Sequence, residues 1–134
     1  MSLPEGERVT LTIPRERAFH AIAHLVLGGL ALRRQLTVEQ LGDLQVALDE
    51  LLRDGEGSVA VELRVVPGAL EATIGPFDGR LRAELEQDRG GGSPPLGRVL
   101  ETVADEVRVD DGDGGHWVWL RKEVGELEQA GTPE

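Results

Sequence analysis

Residues 58–66 and 69–74 are two β-rich runs that meet at Pro67-Gly68, and this pairing constrains the chain more than any other stretch. Proline presets the φ of one turn position and glycine tolerates a positive φ at the next, so the runs close into a hairpin. A two-stranded ribbon is marginal in water unless more strands and a covering layer join it. The rest of the chain has to supply both.

Further strands are easily placed. In residues 8–13, Val9, Leu11 and Ile13 alternate with Arg8, Thr10 and Thr12, the pattern of a half-buried strand that Pro14 ends. Residues 106–109 and 115–124 read as two more strands around a turn at 112–115. The covering layer comes from helical periods. Over 15–34, Phe19, Ile22, Ala23, Val26 and Leu30 recur at three- and four-residue steps, with Gly28-Gly29 weakening the helix or admitting a close neighbour. Thr37 caps a second helix with Gln40 in capping-box position, its stripe being Val38, Leu41, Leu44, Leu48, Leu51 and Leu52. Gly55-Glu56-Gly57 stops that helix, 77–87 is polar with room for a short helix, and 96–104 reads as another helix. The expected architecture is α+β: a two-layer sandwich with about five mostly antiparallel strands and helices on one face.

At 134 residues the chain has the length of one domain, expected over 1–124 with an acidic, disordered tail over 125–134. Only 3% of residues are aromatic, so the core must be aliphatic. The net charge of −11 argues against nucleic acid or an anionic membrane as the main partner, since both would repel it. With no cysteine, disulfides, thiolate catalysis and Cys-based metal sites are excluded. The N-terminus is polar and acidic, unlike a signal peptide, and 21–32 is too short to span a bilayer. A cytoplasmic protein is expected.

Three stretches carry a resemblance. They are LTVEQLGDLQVALDELLRD (36–54), LEATIGPFDGR (70–80) and PLGRVLETVADEVRVDDGDGGHWVWLRK (95–122), with LTIPRE (11–16) before them. In this order they resemble the histidine-kinase-like ATPase superfamily, particularly the anti-sigma-factor serine kinases. The resemblance implies an acid on the second helix that activates water or substrate, with an asparagine four residues on that holds magnesium. Glu50 stands at the acid's position and would be the catalytic base of an active kinase, but Asp54 replaces the asparagine. The family's adenine-recognising aspartate is missing: Thr73 offers a neutral hydroxyl before Gly75, and Asp78 comes only after Phe77. The family's glycine turn binds phosphate through backbone N–H groups. Here Gly90-Gly91-Gly92 is followed by Pro94-Pro95, which donate none, and Gly97 stands alone. Ser93-Pro94-Pro95 reads instead as a helix start.

The resemblance with these departures implies a regulatory protein of anti-sigma-factor type with lost or weakened ATP binding. Its partner would be a sigma factor, an antagonist switch protein, or itself as a homodimer. The alternatives are an active Mg-ATP-dependent serine/threonine kinase and a small-molecule sensor that reuses the nucleotide cleft. Asp43, Ala47, Glu50 and Asp54 share one helical stripe, expected to lie away from the leucines as a solvated face. His20 and His24 have the spacing of metal ligands, but without a third ligand they read as edge-of-core histidines and no metal is expected. On the last strand His116, Val118 and Leu120 share one face, and Trp117, Trp119 and Arg121 the other. If the aliphatic face meets the helices, the two tryptophans and Arg121 form a partner interface on the open face.

Overall fold

A computed structural model of the protein describes residues 8–34, 36–53, 57–86, 94–112 and 114–123. Its elements are β1 (Arg8–Pro14), α1 (His20–Arg34), α2 (Val38–Leu51), β2 (Ser58–Val66), β3 (Ala69–Phe77), α3 (Leu81–Glu86), α4 (Leu96–Val103), β4 (Glu106–Gly112) and β5 (Gly115–Glu123). The strands form one sheet in the order β1-β2-β3-β5-β4, with every pairing antiparallel. It is the α+β arrangement that the element order predicts.

The side-chain period of two decides which face is covered. Ile13, Val59, Val61, Leu63, Val65, Leu70, Ala72, Ile74, Val118 and Leu120 are buried. They meet Ala23, Leu27 and Leu30 from α1, Leu44, Ala47, Leu48 and Leu51 from α2, and Leu96 and Leu100 from α4 in one cluster. Burying each such aliphatic side chain stabilises the fold by roughly 1.5–3 kcal/mol. Phe77 is the aromatic in this core.

Local chemistry sets the boundaries. Thr37 Oγ1 accepts from Gln40 N at 3.0 Å while Gln40 Oε1 accepts from Thr37 N at 2.9 Å, so the capping box is formed in full. Gly68 takes a φ of +74° in the β2–β3 turn, a conformation that favours glycine. Asp54, the 90–92 glycines, Ser93 and the 125–134 tail lie outside the described residues.

Several expectations are corrected. The first helix begins at His20 rather than 15: Glu16 is extended, and Arg17–Phe19 make a 3-10 turn first. Within α1, Leu27 is buried where Ile22 was expected, and Ile22 is 40% exposed. From 21 to 32, α1 carries only His24 as a polar side chain, so periodicity alone could not orient it. Gly28 and Gly29 admit no neighbour, because a Cβ at either would meet nothing within 4 Å. Val38 does not join the α2 stripe but is 86% exposed, since it sits at the first helical position. β3 runs through Gly75-Pro76 to Phe77 across a register shift rather than ending at 74. The stripe Asp43–Ala47–Glu50 is not a solvated face. Ala47 is fully buried, and Asp43 receives a 2.9 Å bond from Lys122 Nζ on β5. No helix among the described residues is long and apolar enough to cross a membrane.

Candidate functional site

Two regions hold the residues singled out by sequence. The first is a cleft of ≈360 Å³ where the 3-10 turn and α1 approach the C-terminal end of α2, lined by Arg17, His20, Asp49, Glu50 and Arg53. Four of these five side chains have local partners among the described residues, Arg17 being the exception among them. Arg53 Nη1 donates to Glu50 Oε1 at 3.4 Å. Asp49 Oδ1 lies 2.8 Å from His24 Nε2 and 3.5 Å from His20 Nδ1, while His20 Nε2 donates to the Leu52 carbonyl at 2.9 Å. His20 and His24 therefore tie α1 to α2 through Asp49, and among the described residues no three His, Asp or Glu side chains are grouped to hold a metal. Beside the cleft, Arg15 lies over the Phe77 ring at 5.1 Å and donates through Nη2 to the Arg53 carbonyl at 3.2 Å.

Of the other positions implied for nucleotide, Thr73 and Gly75 lie on the uncovered side of the sheet, whereas Asp78 lies near Arg15 beside the cleft. Thr73 lies between buried Ala72 and Ile74, so it faces the uncovered side of the sheet, opposite Trp119. Gly75 is on that side too: a Cβ there would come within 2.6 Å of Trp117 Cδ2. Asp78 organises the turn after β3, accepting from Arg80 N at 2.9 Å and Arg80 Nη2 at 3.0 Å. The Arg80 side chain, and then its backbone N–H, hold the Asp78 carboxyl below its ordinary 3.8. Gly97 is a packing glycine, since a Cβ there would lie 2.7 Å from the Leu85 carbonyl oxygen on α3. Gly75, Asp78 and Gly97 thus each have a local structural task.

The second region is the open face of the sheet. Trp117 lies in a slot floored by two glycines. Added Cβ atoms at Gly75 on β3 and Gly112 on β4 would meet the indole at 2.6 and 2.8 Å. Trp119 carries the Arg108 guanidinium 4.1 Å above its ring. Cross-strand register supports both. Thr10, Glu62, Thr73, Trp119 and Arg108 form one row across the sheet, and Arg8, Arg64, Glu71, Arg121 and Glu106 the next. Arg121 Nη1 also donates to Glu123 Oε2 at 3.1 Å. The result is two half-buried indoles bordered by charges of both signs.

Sequence reasoning missed Arg15, Arg17, Asp49 and Arg53 at the cleft, because they come together only when α1 docks on α2. It also missed the Arg108–Trp119 stack. Counting back from the 112–115 turn would have found it, since Gly112↔Gly115 leads to Arg108↔Trp119.

No family model matches the chain, and no curated protein matches it. Among solved structures the chain is similar to the RsbU and RsbW domains of Rv1364c from Mycobacterium tuberculosis, with a TM-score of 0.63 and 15% sequence identity. The match covers 90% of this chain and 32% of that one, so the chain spans about a third of its structural neighbour. Together with the five-stranded antiparallel sheet, this likeness shows that the chain shares its α+β fold with the matched part of that structure.

Proposed function

We propose that this chain is a regulatory protein-binding domain of the anti-sigma-factor type. It engages a sigma factor or an antagonist switch protein through the open sheet face, and its ATP binding is lost or weakened. The observation that carries the reading is the pair Trp117 and Trp119, with Arg108 and Arg121, on a sheet face that no helix among the described residues covers. Indoles and arginines are the residues that most often anchor protein interfaces. The loss of nucleotide binding is supported by the separation of Thr73 and Gly75 from Glu50 and by the structural tasks of Asp78 and Gly97. A cytoplasmic location accords with such partners.

The test measures binding of purified sigma factors and switch proteins to the wild-type chain and to Trp119→Ala. Binding by the wild type that weakens at least about tenfold in the variant supports the reading. Equal affinity of both proteins, or no binding by either, sinks it. A thermal-shift titration with Mg-ATP separates the kinase alternative: saturation at micromolar nucleotide would show that the site is intact.

A further inference from the structure

β4 is an edge of the sheet, since the order β1-β2-β3-β5-β4 gives it one neighbour. All its ladder bonds run to β5, and among the described residues no backbone group from elsewhere reaches its outer side. Alternate residues of an edge strand point their N–H and C=O groups outward, a row that another extended chain can pair with. Next to that row lies a groove of ≈340 Å³ between β4, α4 and the end of α3. Leu85, Pro95, Val107 and Val109 give it an apolar floor, and Arg98 and Glu101 stand on its rim. The four apolar residues are only half-buried, so the groove is open to an incoming side chain.

The residues of β4 say what kind of strand fits there. Val107 and Val109 pack towards the helices, so Glu106, Arg108 and Asp110 point to the open face. They read acid, base, acid along the edge, and the Arg108 and Asp110 side chains are 63% and 60% exposed. Opposite charges directly across two strands attract, and like charges repel. The complement is therefore base, acid, base at alternate positions, with aliphatic residues between them to enter the groove. That series reads the same in both directions, so it fits a parallel or an antiparallel strand. A second copy of this chain fits worse. Two β4 strands overlapping fully in a two-fold contact would set Arg108 against Arg108 and Glu106 against Asp110.

We propose that the outer edge of β4 takes up an extended peptide of a partner protein as a further strand of the sheet. Its aliphatic side chains enter the groove beside Val107 and Val109, and its base, acid and base face Glu106, Arg108 and Asp110. Main-chain hydrogen bonds to the edge supply affinity, while the groove and the charge series supply selection. The proposal does not rest on the function above, because the two indoles stand on β5 and the new pairing is made on the far side of β4.

The experiment titrates the full chain with synthetic acetyl-Thr-Lys-Val-Glu-Val-Lys-Thr-amide, read by calorimetry and by backbone amide hydrogen exchange. The expected result is a dissociation constant on the order of 100 μM, with slowed exchange at alternate amides over 106–111. A peptide of the same composition without alternation, Thr-Val-Val-Lys-Glu-Lys-Thr, should bind at least about tenfold more weakly. So should Thr-Glu-Val-Arg-Val-Asp-Thr, which copies residues 106–110 between threonines. Arg108→Glu is an exposed change, with folding checked by circular dichroism. It should weaken the first peptide at least about fivefold and favour Thr-Lys-Val-Lys-Val-Lys-Thr instead. No binding at about 2 mM of the first peptide overturns the proposal. So does equal affinity for the alternating and scrambled peptides, which would mean only attraction of a cationic chain to an acidic protein. Tighter binding of the β4 copy would point to self-pairing, and protection confined to β1 to the other edge; either result overturns it as well.

Discussion

The cleft beside α2 and the open sheet face differ in what their polar groups do. In the cleft, most charged groups pair within it: Glu50 with Arg53 and Asp49 with His24, while Arg15 beside it donates to the Arg53 carbonyl. On the sheet face, charges border two large aromatic surfaces that stay partly open to water. A half-buried indole gains by being covered.

The two tryptophans sharpen that comparison, because they are held differently. Trp117 fills the slot between Gly75 and Gly112, so Trp117→Ala should lower unfolding stability by about 2–4 kcal/mol, read from urea denaturation. A loss below about 1 kcal/mol would mean that the indole is displayed rather than structural. Gly75→Ala tests the same slot from beneath and should cost about 1–3 kcal/mol, as its Cβ displaces the ring. Gly97→Ala should cost a similar ~1–3 kcal/mol by pushing α4 off the Leu85 carbonyl. An unchanged midpoint there would return Gly97 to the list of ligand-binding candidates.

Trp119 should behave otherwise. A double-mutant cycle between Arg108→Ala and Trp119→Ala should give a coupling of only about 0.5–1 kcal/mol, as for an exposed cation–π contact. A larger value would make this pair a structural unit like Trp117 and its glycines. The smallest effect is expected at Asp78. Its carboxyl is held below 3.8 in the folded state, so it contributes stability above that pH and loses it as pH falls through the folded value. Acid titration of Asp78→Asn should show a slightly shallower loss below about pH 4 than wild type. Because the group is fully exposed, a large difference would contradict its reading as a turn residue.

Much of the fold could be read from local pattern. The Pro67-Gly68 hairpin, the Thr37–Gln40 capping box and the alternation of β5 depend on residues close in sequence, and each stands where expected. α1 was harder. Its period could not say whether Ile22 or Leu27 was buried, because residues 21–32 offer only His24 as a polar side chain to orient them. The site was least legible. Motif positions fixed where Thr73 and Glu50 stand in the chain, but not that the sheet would lie between them.

The sequence by itself determined the order of elements, the hairpins, the caps and the face on which Trp117, Trp119 and Arg121 travel together. Those follow from backbone chemistry and side-chain period, which act over a few residues. Tertiary structure alone decided that this face stays open, that Asp43 and Ala47 turn inward, that Asp49 gathers two histidines, and that Leu25 and Leu32 are left in water. These outcomes depend on how α1 and α2 settle on the sheet, and packing between distant segments is not written in any local pattern.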